Sequence, residues 1–131
     1  MQKGLLLCFA AVVIALGLLL SPGARAQIGL RATGLPQQGG EAIFKGVCQG
    51  CHMPNAQGAV GAGIYPALAN NAKLEVAGYP VSVIIHGQKA MPAFGQAFDD
   101  KQIADVVNYI RSHFGNDYKD SVTPEDVRSA R

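Results

Sequence analysis

Five consecutive residues constrain this chain more than any other feature: Cys48-Gln49-Gly50-Cys51-His52. Two thiols three positions apart, followed at once by an imidazole, are typical of the covalent attachment of haem. The motif predicts one haem c, with its iron, bound through thioethers at Cys48 and Cys51. It also predicts that His52, carried to the iron by its neighbour, is the proximal axial ligand.

The first 26 residues predict a cleaved secretory signal peptide. Lys3 precedes an almost unbroken apolar run over residues 5–20, and residues 24–26 (Ala-Arg-Ala) form a small-x-small cleavage site. A retained membrane anchor is the alternative, but the run is shorter than the ~20 residues of a spanning helix and Gly17 interrupts it. The sequence therefore predicts export to the periplasm, with no stable membrane span after cleavage.

Cleavage changes the charge of the chain. The full sequence has 11 basic and 9 acidic residues, and the signal carries away Lys3 and Arg25, so residues 27–131 are near neutral. No basic stripe is present to follow a phosphate backbone, which argues against nucleic acid as a partner. The length fits one small domain with a thin core, which a large apolar cofactor would complete.

The cysteine pair has three other possible uses. Cys8 leaves with the signal, so the motif holds the two remaining thiols, which would form a disulfide in an oxidising compartment. A thioredoxin-like redox pair needs a βαβ frame, which the sequence lacks. A zinc site needs a second ligand pair at similar spacing, and there is none. The sequence therefore favours haem attachment over these uses.

The chain divides into four parts by composition. After the signal, residues 27–39 are rich in Gly, Pro and Gln and predict a flexible lead-in. Residues 40–115 hold the motifs and the apolar patterns, and residues 116–131 form a polar C-terminal tail. Within the domain, residues 54–71 predict a loop, which we expect three apolar anchors to hold: Ile64, Tyr65 and Leu68.

Apolar periodicity predicts an all-α domain of three to four helices. Helices are predicted over residues 41–51, 72–76, 80–86 and 100–114. The segment 80–86 would also suit a buried strand, but no second strand is available to pair with it. The clearest helix is the last, because Asp99 and Gln102 predict a capping box and Phe98 with Ile103 a hydrophobic staple.

The sixth ligand of the iron is predicted from a second motif. Met91-Pro92 lies 39 residues beyond His52, and the proline restricts Met91 to an extended conformation suited to a loop over a haem face. The alternatives are that Met91 is a core residue and that His86 or His113 is the ligand. Ligation by His and Met fills both axial positions and favours Fe(II), as in an electron carrier.

The motif, Met91-Pro92 and the C-terminal amphipathic helix together resemble a class I cytochrome c over residues 40–114. The resemblance implies a small fold of three to four helices around one haem, with the first and last helices crossing near the haem edge. Phe44 and Tyr109 are the candidates for packing there. It also implies that a loop proline accepts a hydrogen bond from the proximal histidine, and Pro66 is similar to that proline, although Tyr65 stands where the family usually has glycine.

Three further segments resemble the mono-haem cytochrome c subunits or domains that serve periplasmic dehydrogenases: Tyr65-Pro66-Ala67-Leu68-Ala69, Ala90-Met91-Pro92-Ala93-Phe94 and residues 103–111. The resemblance implies a one-electron carrier without catalysis of its own. Its donor would be a quinoprotein, flavin or molybdenum dehydrogenase or a respiratory complex, and its acceptor a terminal oxidase or another cytochrome. Many such subunits carry three haem motifs, whereas this chain has one.

Two other functions remain open from the residues. A haem enzyme or gas sensor would leave the sixth position open and use a polar distal group such as Lys89 or His86. A tightly bound subunit would use the polar tail to wrap its partner. For the carrier we expect a mildly apolar docking patch and weak salt dependence; the patch residues are Ala59, Val60, Ala62, Ala90 and Ala93.

Overall fold

The computed structural model describes residues 35–61 and 63–131. The predicted signal peptide and residues 27–34 of the lead-in lie outside the described residues. The described part contains four helical runs, a 3-10 turn and one two-stranded hairpin, which confirms the all-α prediction. In chain order the elements are α1 (Gly40–Ile43), a π-helical turn (Phe44–Cys48), α2 (Gln49–His52), β1 (Ala59–Val60), β2 (Ile64–Tyr65), a 3-10 turn (Ala72–Leu74), α3 (Gly78–His86), α4 (Asp100–Ser112) and α5 (Pro124–Ser129).

Helix α4 is the centre of the molecule. Its predicted capping box is present: Gln102 N–H donates to Asp99 Oδ1 at 2.7 Å, and Asp99 N–H donates to Gln102 Oε1 at 3.0 Å. Its inner face is fully buried through Ile103, Ala104, Val106, Val107 and Ile110. The helix ends at Ser112, earlier than the predicted residue 114, because His113 is extended and Phe114 has a φ of +58°.

The first helical run, residues 40–52, crosses α4 at a glycine. A Cβ on Gly40 would lie 2.2 Å from the carbonyl oxygen of Asp105 and 2.5 Å from Cβ of Tyr109, so only glycine permits this approach. The run confirms the predicted helix over 41–51, except that its middle turn is a π-helix. This close crossing places the start of the run against α4, and the two cysteines lie at the other end of the run.

The segment before Met91 is a helix, so the strand alternative is wrong. Helix α3 begins at Gly78 and puts Pro80 in its first turn, where the missing N–H of proline breaks no helical hydrogen bond. Val81, Ile84 and Ile85 are buried. The predicted helix over 72–76 is a single 3-10 turn.

The loop over residues 54–71 contains a short antiparallel hairpin. Ala59 pairs with Tyr65 and Val60 with Ile64. The prediction that Ile64 anchors the loop is wrong, because its side chain is 78% exposed, whereas Tyr65 and Leu68 are half-buried. Neighbouring residues of a strand face opposite sides, so Tyr65 turns inward and Ile64 outward.

The C-terminal segment 116–131, expected to be a polar tail, packs on the domain. Helix α5 is capped by a box between Thr123 and Asp126, and Val122 and Val127 are buried in the same core as α4. Two isolated apolar residues give no periodicity, which is why the sequence pattern missed this packing. In the described parts of the chain, no helix combines the length and apolar composition needed to cross a membrane.

The described part of the lead-in is also held by α4. The side-chain amide of Gln102 donates to the carbonyl oxygens of Leu35 at 2.5 Å and Gln37 at 2.8 Å. Leu35 N–H donates to Ala97 O at 3.1 Å. Composition predicted a flexible lead-in, whereas the buried Gln102 side chain and the backbone of Ala97 hold its described residues.

Candidate haem site

Cys48, Cys51 and His52 end the first helical run. Cys48 closes the π-helical turn, and the other two lie in α2. Neither cysteine is in a disulfide. Cys48 is half-buried, and burial raises the pKa of its thiol to about 11, while Cys51 is exposed. The two sulfurs therefore sit in different surroundings, with Cys48 turned to the apolar interior.

The structure brings His52 and Pro66 together, as the resemblance implied. The His52 ring is 8% exposed, and its Nδ1 lies 2.9 Å from the carbonyl oxygen of Pro66. Since a carbonyl only accepts, Nδ1 is the ring nitrogen that donates in this contact. This contact orients the ring and leaves Nε2 as the nitrogen able to bind a metal ion.

Gly58 is a site residue that sequence reasoning missed. Its N–H donates to His52 O at 3.0 Å, and its φ is +69°. A Cβ there would lie 2.2 Å from Tyr65 O and 2.7 Å from the carbonyl carbon of Pro66. Gly58 thus lets the backbone of Pro66 pass close to His52. Several glycines lie in this loop, so composition alone does not single it out.

Phe44 and Tyr109 also meet, as predicted. Their ring centroids are 5.8 Å apart, and Phe44 lies 4.7 Å from the ring of Phe114. Tyr109 stacks on His113 at 4.1 Å, and His113 Nδ1 lies 2.9 Å from the carbonyl oxygen of Tyr109. His113 is exposed at the end of α4, which favours its helix-terminus interpretation over its alternative role as a ligand.

Met91 lies in a separate tight turn after α3. Gln88 and Met91 exchange two backbone hydrogen bonds of 3.0 Å, and Lys89 between them has a φ of +54°. Met91 is half-buried and packs against the core. Tyr79 Oη donates to Gln88 Oε1 at 3.3 Å. The turn therefore presents a thioether from a constrained backbone, while His86 at the end of α3 is exposed.

These residues fit haem c. The chain offers two cysteines one helical turn apart, a buried imidazole with one nitrogen already bonded, and a half-buried thioether. Residues 46–72 contain no Asp, Glu, Lys or Arg, which suits an apolar tetrapyrrole. Among the described residues, no group of three His, Cys, Asp or Glu side chains is arranged so that it could hold a metal ion.

Comparison with known proteins points to the same cofactor. A family model described as "Cytochrome C oxidase, cbb3-type, subunit III" matches residues 36–110. The chain is 34% identical over 112 residues to the gluconate 2-dehydrogenase cytochrome c subunit of Pantoea cypripedii, covering 72% of this chain and 24% of that protein. It is 31% identical over 107 residues to the fructose dehydrogenase cytochrome subunit of Gluconobacter japonicus, covering 70% and 22%.

One relative is itself a small protein, and the match covers nearly all of it. The chain is 35% identical over 82 residues to cytochrome c6 of Diacronema lutheri, covering 58% of this chain and 94% of that protein. The chain spans less than a quarter of the dehydrogenase subunits named above. The chain therefore belongs to the family of class I c-type cytochromes, electron-transfer proteins that hold haem c covalently.

Proposed function

We propose that this chain is a periplasmic mono-haem cytochrome that takes single electrons from a dehydrogenase or a respiratory complex and passes them to a terminal oxidase. The observation that carries the proposal is the C-x-x-C-H motif ending in a buried His52 whose Nδ1 is held by Pro66. Similarity to cytochrome subunits named for gluconate and fructose dehydrogenases supports a dehydrogenase as donor, of the quinoprotein, flavin or molybdenum type.

Each site residue has a proposed part. Cys48 and Cys51 would hold the cofactor through thioethers, His52 would bind the iron through Nε2, and Met91 would offer its sulfur as a further ligand. When bound, haem c supplies a one-electron Fe(II)/Fe(III) couple. The Pro66 carbonyl restricts rotation of the imidazole, and the backbone hydrogen bonds of the 88–91 turn restrict the backbone of Met91, so both side chains would be held in place for that couple.

The partner surface proposed from the sequence is exposed in part. Val60 is 86% exposed and Ile64 opposite it is 78% exposed, so the hairpin presents an apolar pair to solvent. Ala59 is half-buried, and Ala90 and Ala93 are exposed; Ala62 lies outside the described residues. Because the hairpin lies within the uncharged segment 46–72, we propose a docking contact that is apolar and small.

Export is proposed from the first 26 residues. Their apolar run and small-x-small site support removal of a signal before haem attachment. Sequencing the N-terminus of the protein purified from a periplasmic fraction would test this. A mature chain beginning at Gln27 is expected, and retention of the apolar run in a membrane fraction would contradict it.

Visible spectroscopy of the purified haem protein tests the ligand assignment. A weak band near about 695 nm in the oxidised protein reports sulfur bound to ferric haem iron. We expect this band in the wild type, its loss in Met91→Ala, and its retention in Met53→Ala. Met53 is the matched control, since it is another half-buried methionine but lies next to His52.

The alternative function makes the opposite prediction. An open sixth position would leave the wild type without the band and able to bind carbon monoxide readily when reduced. That result would replace the carrier with a haem enzyme or gas sensor. His86 and Lys89, both exposed, would then be the first residues to substitute.

A further inference from the structure

The last side chain of the sequence reaches back to the segment that follows Met91. Helix α5 is held on α4 by Val127, which is fully buried. Arg131 follows that helix, and its guanidinium contacts the stretch between Met91 and α4. A residue far from the motifs in sequence therefore bonds the segment that follows Met91.

Three groups accept hydrogen bonds from the Arg131 guanidinium. Nη2 donates to Phe98 O at 2.9 Å, Nη1 donates to Gly95 O, and Nε donates to Asp100 Oδ1 at 2.6 Å. Two of the acceptors are backbone carbonyls outside any helix, and the third lies in the first turn of α4. The planar fork of arginine matches this arrangement, which a lysine ammonium cannot reproduce.

The same segment is held on its other side by α3. Phe94 N–H donates to Ile84 O at 2.8 Å, and Gly95 N–H donates to Ile85 O at 3.2 Å. The rings of Phe94 and Phe98 stack at 5.4 Å. Gly95 is thus bonded to α3 through its N–H and to Arg131 through its carbonyl. These contacts fix the chain four residues beyond Met91.

We propose that Arg131 is a positioning residue for Met91, holding residues 93–98 so that the thioether keeps its place. The inference rests on the proposed role of Met91 as an axial ligand. Without the guanidinium, two carbonyls lose their partner, and the segment is held by the hydrogen bonds to α3 and the one from Leu35 N–H to Ala97 O. Local opening of a segment costs less free energy as its bonds are removed, and each opening would free the position that Met91 occupies.

Competition by imidazole for the ferric haem iron measures this opening. The apparent affinity of an added ligand rises in proportion to the fraction of molecules in which the site is free. We expect Arg131→Ala to bind imidazole about tenfold more tightly than the wild type, since it loses hydrogen bonds from a charged donor. Arg131→Lys should fall between the two, because it keeps the charge but not the fork.

Arg128→Ala is the matched control. Arg128 lies in α5, three residues before Arg131, and its side chain pairs with Asp100 at 3.4 Å and Glu125 at 2.6 Å but bonds neither Gly95 nor Phe98. It should bind imidazole as the wild type does. Ile43→Val, a core change in the first helical run, controls for general loss of stability and should also leave imidazole binding unchanged.

Amide hydrogen exchange gives a second readout. The amides of Gly95 and Phe98 should exchange about tenfold faster in Arg131→Ala and at the wild-type rate in Arg128→Ala. If the wild type shows the 695 nm band but Arg131→Ala behaves like Arg128→Ala, the positioning role is wrong and Met91 ligation stands. If the wild type lacks the band, both proposals fail.

Discussion

At the scale of single residues, Arg111 shows how a charge is accommodated in a small core. It lies on the buried face of α4, and its charged side chain is only 1% exposed. Nε donates to Leu74 O at 2.8 Å, and Nη2 donates to Glu75 O at 3.0 Å and to Asp120 Oδ1 at 2.7 Å. These bonds join α4 to residues 74–75 and to Asp120, so two backbone carbonyls and one carboxylate satisfy the buried charge.

The Arg111–Asp120 pair predicts a specific dependence of stability on pH. The hydrogen bond from Arg111 holds the pKa of the Asp120 carboxyl below its ordinary value of 3.8. A lowered folded-state pKa contributes stability above the unfolded-state pKa, and this contribution is lost as the pH falls through the folded-state pKa. We therefore expect Asp120→Asn to lower the urea midpoint at pH 7 and to match the wild type once the pH is well below 3.8.

Asp117→Asn is the control for this prediction. Asp117 pairs with Lys119 at the surface, where both side chains are about four-fifths exposed. Exposed pairs contribute little to stability, so its urea midpoint should follow the wild type at every pH. A constant difference between Asp120→Asn and wild type down to the lowest pH would contradict the proposed origin.

At the scale of elements, a helix or strand was predictable from sequence only where its own residues carry a capping or periodicity signal. Helix α4 carries its own capping box and a continuous apolar face, so its start was predicted at the correct residue. Helix α5 carries a capping box as well, but one buried valine, Val127, is too little for a periodic pattern. The hairpin has two residues per strand, which is below the length at which alternation can be recognised.

The loop that holds Pro66 against His52 predicts the effect of a single methyl group. In Gly58→Ala, the added Cβ would lie 2.2 Å from Tyr65 O, at a residue whose φ is positive. We expect a loss of about 1–3 kcal/mol in the free energy of unfolding, measured by urea denaturation. The ring N–H of His52 should also exchange faster with solvent, measured by NMR of the reduced haem protein, because the Pro66 carbonyl is displaced.

Gly61→Ala is the matched control for that change. It lies in the same hairpin, it does not have a positive φ, and a Cβ there would meet nothing within 4 Å. Its free energy of unfolding should stay within about 0.5 kcal/mol of the wild type. If the two substitutions had equal effects, the loss in Gly58→Ala would reflect a general change in the rigidity of the hairpin. It would not reflect the close approach of the Pro66 backbone to Gly58.

At the scale of the whole molecule, the two most exposed large apolar side chains, Val60 and Ile64, lie in a segment without charge. The uncharged segment 46–72 includes the haem motif and the hairpin, whereas the ion pairs lie on the helices and the C-terminal segment. A molecule with this distribution and little net charge is not strongly steered by long-range electrostatics. Contact with a partner would depend on the apolar pair at the hairpin.

Substituting that pair tests the docking surface. For the double variant Val60→Ser with Ile64→Ser, we choose a dehydrogenase that reduces the wild type and expect it to reduce the variant about tenfold more slowly. The reason is that docking no longer buries two apolar side chains. Reduction by ascorbate should not change. Val76→Ser, at a residue that is 70% exposed outside the hairpin, should react as the wild type does.

The salt dependence completes the test. Wild-type reduction should change little between low and high ionic strength, as expected for an uncharged contact. A steep fall in rate with salt, or an unchanged rate in the double variant, would place the contact on a charged surface elsewhere.

The sequence by itself determined the cofactor, the helical class and the start of α4, because a covalent motif and a capping box are made by residues close together in the chain. It also predicted that Pro66 and His52 would meet, through the resemblance to a family. Only the tertiary structure decided which glycines permit close approach, that Ile64 faces solvent, and that Arg131 bonds the segment after Met91. Those outcomes depend on which parts of the chain, distant in sequence, come within a few ångströms of a residue. The residues next to it in the sequence do not specify that distance.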